Sequence, residues 1–104
     1  MKLLPKEVAK QIPKLYAQEH RGDETVVYLK FFDLCSNWTW YVTEYDGIDT
    51  FFGLVIGHVA ELGYFSLRKL QRCKNRFGLT IERDIHFTPM TLKELKETLS
   101  VRIC

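Results

Sequence analysis

The chain has 104 residues, 46% of them hydrophobic and 27% charged, with a formal net charge of +2. This is globular composition and excludes a disordered protein; the length suits one domain, residues 1–104, that buries roughly two thirds of its unfolded surface without a metal or disulfide staple. The small net charge excludes a surface that is basic throughout, so any polyanion-binding face must come from local clustering.

No run of about eighteen apolar residues exists, so no membrane span is expected. The N-terminal MKLLPKEVAKQIP is interrupted by charge every few residues and lacks the apolar stretch of a signal peptide. Three widely spaced cysteines, Cys35, Cys73 and Cys104, then point to reduced thiols and a cytoplasmic location.

Leu4, Val8 and Ile12 recur at helical spacing, Pro5 suits a first turn and Pro13 ends the pattern. This predicts a short helix over 5–12. The polar AQEHRGDE, residues 17–24, reads as a loop. Thr25–Phe32, TVVYLKFF, reads as one strand with Val27, Leu29 and Phe31 toward the core.

Trp38–Tyr45 and Thr50–Gly57 read as a hairpin around Asp46-Gly47. A two-residue loop would set Glu44 against Asp49, like charge against like. A four-residue loop, Asp46–Asp49, instead pairs Tyr45 with Thr50. Trp38 and Val42 then lie opposite glycines, Gly57 and Gly53, and Trp40 opposite Val55. That register predicts buried indoles and leaves Tyr41 and Tyr45 on a face half filled with threonines.

A short strand over 61–65, ELGYF, leads to Ser66, a helix cap. The following helix should run to Phe77 and stop at Gly78, with Arg68, Lys69, Arg72, Lys74 and Arg76 outward. Residues 81–87, IERDIHF, alternate as an edge strand, with Glu82, Asp84 and His86 on its wet side. Thr91–Glu94 is a capping box opening a last helix with Leu92, Leu95 and Leu99 inward. The expected fold is α+β: a small antiparallel meander of about four strands with short N-terminal, middle and C-terminal helices.

SNWTWY (36–41), EYDGIDTFFGLV (44–55), ELGYFSL (61–67) and IERD (81–84) together resemble a family of small bacterial proteins of unknown function. The opening LLPKEV and the later HFTP fit as well. Members of that family are commonly carried on plasmids, integrative elements and phage-like islands. The resemblance implies an accessory protein of the mobile gene pool, and no activity, cofactor or catalytic residue. The segment after ELGYFSL is more basic here than the family pattern.

No zinc, P-loop, dinucleotide or nucleophile-elbow motif is present. The chain reads as a non-catalytic binding module for a protein or nucleic acid partner, without a cofactor, and a homodimer is possible. Its candidate surface comprises Tyr41, Tyr45, the five cations of 68–76, and Glu82, Asp84 and His86. Two alternatives stand beside this. Glu82, Asp84 and His86 would serve a metal-assisted hydrolase or nuclease if a further acid, such as Glu44 or Glu61, converged on them. Half-covered faces and an edge strand would also serve a self-associating structural protein.

Overall fold

The computed structural model describes residues 2–99. Along the chain the strands are β1 (Val26–Val27), β2 (Leu29–Asp33), β3 (Thr39–Tyr45), β4 (Thr50–Ile56), β5 (Ala60–Ser66), β6 (Ile81–Arg83) and β7 (Met90–Thr91). The helices are α1 (Lys6–Ala9), α2 (Leu67–Arg72) and α3 (Leu92–Leu99), with a single 3-10 turn at Gly22–Glu24. β2 to β5 form an antiparallel meander, and β6 returns to pair with β2, giving a five-stranded sheet in the order β5-β4-β3-β2-β6. β1 and β7 make a separate two-stranded ribbon. The architecture is α+β, as expected, with one more sheet strand than the meander alone.

The β3–β4 hairpin keeps the expected pairs Trp40–Val55 and Val42–Gly53. Both glycines sit under close neighbours. A Cβ at Gly53 would fall on the Tyr41 carbonyl oxygen, and one at Gly57 would lie 2.5 Å from the far edge of the Trp38 ring. Nearer the turn the register shifts. Glu44 pairs with Phe52 and Tyr45 with Phe51, not with Thr50, because Thr43 is an extra, unpaired residue in β3. This bulge reverses which face the last residues of β3 address.

Both faces of the sheet are covered, so there are two apolar clusters. One holds Phe31, Val42, Tyr45 and Phe51 beneath the N-terminal segment (Leu4, Ile12) and Leu70 of α2. The other holds Val27, Tyr41 and Leu54 beneath Leu92 and Leu95 of α3. The stretch 25–32 is therefore two strands rather than one. It breaks at Tyr28, whose N–H donates to the Val42 carbonyl at 2.8 Å. Val27 enters one core while Phe31 enters the other, each fully buried.

Three of the four aromatic assignments change: Tyr41, Tyr45 and Trp38. Tyr41 and Tyr45 are buried, at 3% and 8% exposure, whereas Trp38 is 38% exposed and Trp40 half-buried. Tyr45 changes face through the bulge and stacks on Phe51 at 4.7 Å between centroids. Tyr41 is covered from the far side, where Phe87 lies 6.0 Å from it. Trp40 still packs against the first cluster, while Trp38, 6.1 Å from it, is more exposed and has His58 edge-on at 5.8 Å.

Other boundaries also shorten. α1 ends at Ala9, although Leu4 and Ile12 are buried as expected. α2 ends at Arg72 because Cys73 takes extended backbone angles, φ −65° and ψ 122°. Residues 74–80 form a loop closed by a Lys74–Thr80 bridge, with Gly78 at φ +79° and Phe77 exposed. β6 stops after three residues, and the turn that follows leaves Ile85 exposed. The capping box of α3 forms in both directions: Glu94 N–H donates to Thr91 Oγ1, and Thr91 N–H to Glu94 Oε1, each at 3.2 Å. Cys35 and Cys73 are free, exposed thiols, and Cys104 lies outside the described residues. No helix among the described residues is long and apolar enough to cross a membrane.

Candidate functional site

The acidic row of 81–87 does not assemble into a site. Asp84 is a turn former: its Oδ1 accepts the His86 N–H at 2.9 Å, and its Oδ2 lies 3.9 Å from Lys30 Nζ. Glu82 is half-buried beside β2, and His86 is exposed beyond the strand end. Among the described residues no three His, Cys, Asp or Glu side chains come together as metal ligands. Glu44 does not join them: its carboxylate accepts the Tyr16 and Gln18 N–H groups.

The hairpin tip is likewise structural. Asp46 Oδ1 accepts the N–H groups of Ile48, Asp49 and Thr50 at 2.8, 2.8 and 3.0 Å. Asp49 accepts the Ser66 hydroxyl at 2.6 Å and the Arg68 N–H at 2.8 Å, tying the tip to the start of α2. These bonds, the Ser66 hydroxyl foremost, hold the Asp49 carboxyl below its ordinary range. Arg68, Lys69 and Arg72 on α2, with Lys74 and Arg76 beyond it, are all exposed. Burial and nearby carboxylates raise the pKa of Tyr41 and Tyr45, as suits phenols held inside.

What the fold does build is a cleft of about 520 Å³ on the α3 side of the sheet. Its floor is Thr43, Glu44 and Phe52, brought together by the bulge. One wall is the outer strand β5, through Leu62 and Tyr64; another is α3, through Leu92 and Lys96. The third is the segment 16–25, of which the sequence reads residues 17–24 only as polar loop.

That segment is fastened by side chains. Gln18, 4% exposed, donates through Nε2 to the Thr43 carbonyl at 2.8 Å and the Val26 carbonyl at 3.0 Å. Its Oε1 accepts the Val26 N–H at 2.7 Å. Glu44, 5% exposed, accepts the Tyr16 N–H on one carboxylate oxygen and the Gln18 N–H on the other, both at 2.8 Å. Two backbone donors offset part of the cost of burying that charge. Tyr16 itself sits at φ +71°, a left-handed conformation rare for an aromatic residue. At the rim its hydroxyl accepts from Tyr64 at 3.3 Å, and Lys96 pairs with Asp23 at 2.6 Å. The Tyr64 phenol is held above its usual range, chiefly by its bond to Tyr16, then by burial and by the charges of Tyr16, Glu44 and Glu19.

Against protein-family models the match is to a protein of unknown function, DUF2958, over residues 3–99. The chain belongs to that family. Every residue lining the cleft falls within the part that defines DUF2958. The family is thus one of unknown function, in keeping with the resemblance carried by SNWTWY and ELGYFSL. No curated protein and no solved structure matches this DUF2958 chain.

Tyr16 and Gln18 lie in no motif, Tyr64 lies within ELGYFSL, and nothing local marks any of the three as site residues. Glu44 and Gln18 are side chains that a half-buried strand and a loop would ordinarily leave in water, so only the structure reveals that both are inside.

Proposed function

We propose that this DUF2958 chain is a non-catalytic binding module, an accessory protein of mobile genetic elements that takes an extended segment of a protein partner along the free edge of β5. The edge itself carries the reading. β5 runs for seven residues and, among the described residues, pairs on one side only, with β4, whereas the opposite edge strand, β6, has three. Short edges discourage strand addition, and long ones invite it unless charge or proline blocks them. AELGYFS offers a single charge, Glu61, and no proline. Leu62 and Tyr64 stand exposed at 42% and 56%, directly over the cleft. A strand added to β5 would gain main-chain hydrogen bonds and place alternate side chains above the cleft. The mobile-element context is supported by the resemblance of the motifs rather than by geometry.

Selection of displayed linear peptides on the folded protein tests this. Enriched peptides should bind the wild type and lose about ten-fold or more in affinity to Leu62→Lys or Tyr64→Lys, which put charge on the edge. A selection that yields no binder overturns the reading. Light scattering distinguishes the self-associating alternative: a dimer dissociated by Leu62→Lys would make a second copy the occupant of β5.

A nucleic acid partner is the second reading, favoured by one observation. Arg68, Lys69, Arg72, Lys74 and Arg76 are all exposed, and none is in an ion pair among the described residues. A gel shift that weakens steeply between low and moderate salt would support it.

A further inference from the structure

Glu44 is a buried carboxylate with no cation beside it. Among the described residues the ion pairs are Lys30–Asp84 and Lys96–Asp23, and neither involves Glu44. A carboxylate offers about four acceptor positions. The backbone N–H groups of Tyr16 and Gln18 fill one on each oxygen. Buried charges are ordinarily paired or fully hydrogen-bonded. Here the remaining acceptor capacity belongs to a group that lines the cleft.

The surroundings select the sign of a ligand. Glu19, Asp23 and Glu44 line the cleft against one cation, Lys96, which Asp23 already engages. An anion would therefore meet net negative charge. The aromatic walls, Tyr16, Phe52 and Tyr64, favour a cation further, because ring faces attract ammonium and guanidinium groups. Leu62 and Leu92 suit an aliphatic stem. A cavity of about 520 Å³ is ample for one long side chain.

We infer that the cleft is a receptor for a basic side chain, lysine or arginine, of the segment that pairs with β5, with Glu44 as its counter-charge. This rests on the strand-addition reading for how the side chain arrives, but not for the pairing itself. The site would hold a cation on an alkyl stem whichever way it was presented.

The test is a titration of the full chain with N-acetyl-arginine methylamide and N-acetyl-lysine methylamide, followed by the backbone amide resonances of Tyr16 and Gln18. Their citrulline and norleucine counterparts serve as neutral controls. Saturable shifts at both amides are expected with the basic probes, and binding about ten-fold weaker with the neutral ones. Glu44→Gln removes the charge but also disturbs the loop it anchors, so Tyr64→Ala, at the exposed rim, is the second variant. It should weaken the basic probes several-fold while the remaining amide spectrum stays in place. Equal shifts from charged and neutral probes, or none from either, would overturn the inference. The two readings fail separately. Selected peptides that bind equally well with norleucine for lysine would sink the basic-side-chain receptor and leave strand addition standing. Probe binding without any selected peptide would do the reverse.

Discussion

Gln18 and Glu44 close a ring across the bulge of β3: the Gln18 N–H donates to Glu44 Oε2 at 2.8 Å, and Gln18 Nε2 donates back to the Thr43 carbonyl at 2.8 Å. The segment 16–25 is therefore not a loose loop. It is a wall of the cleft, held by one amide side chain and one carboxylate.

Replacing Gln18 by alanine removes three hydrogen bonds and strands the main-chain groups of Thr43 and Val26. Leaving buried backbone groups unsatisfied costs about 1–3 kcal/mol each, so Gln18→Ala should destabilise by about 3 kcal/mol. Urea unfolding monitored by far-UV circular dichroism measures it. A loss below about 1 kcal/mol would mean that water replaces the side chain and that Gln18 does not anchor the wall.

Three glycines separate backbone constraint from side-chain contact. Gly53→Ala drives a Cβ into the Tyr41 carbonyl, which the sheet holds in place, and should cost about 3 kcal/mol or prevent folding. Gly57→Ala meets only the far edge of the Trp38 ring, and that indole is already part-exposed. It should cost under about 1 kcal/mol yet shift tryptophan emission to the red as the ring swings outward. Gly63→Ala meets nothing within 4 Å and should be close to neutral. Thermal unfolding and fluorescence of the three variants check the order; a neutral Gly53→Ala would contradict the close approach.

Asp49 supplies a pH dependence. Its carboxyl is held below the ordinary value of 3.8 by the Ser66 hydroxyl first and the Arg68 N–H next. A carboxyl depressed in the folded state stabilises it fully above the unfolded pKa, and that contribution is lost as pH falls through the folded one. Stability should therefore decline as pH is taken below about 4. Ser66→Ala should flatten part of that decline, besides a pH-independent loss of the α2 cap, in which Ser66 Oγ accepts the Lys69 N–H at 3.2 Å. Urea midpoints across that range test it; an unchanged slope in Ser66→Ala would show that other carboxyls dominate.

Much of the hairpin was legible because large residues faced small ones. Trp40–Val55 and Val42–Gly53 follow from asking which register fills a layer without collision. The Thr91–Glu94 box was legible for a similar reason, since each partner lies within four residues of the other. The site was not legible. Alternation assigns faces by parity, and one unpaired residue at Thr43 inverts that parity for Glu44 and Tyr45. Tyr41 looked exposed because its strand neighbours are threonines, yet α3 and Phe87 cover that face from far along the chain.

The amino-acid order by itself determined the strands of the meander, the capped last helix and the pairing in the middle of the hairpin. Those depend on neighbours in sequence and on the size of facing side chains. Only the tertiary structure decided that the sheet has two cores, that the tyrosines belong to them, and that Glu44 turns under a polar segment to floor a cleft. Each of those outcomes depends on a bulge or on a contact between distant residues, and neither leaves a periodic trace in the chain.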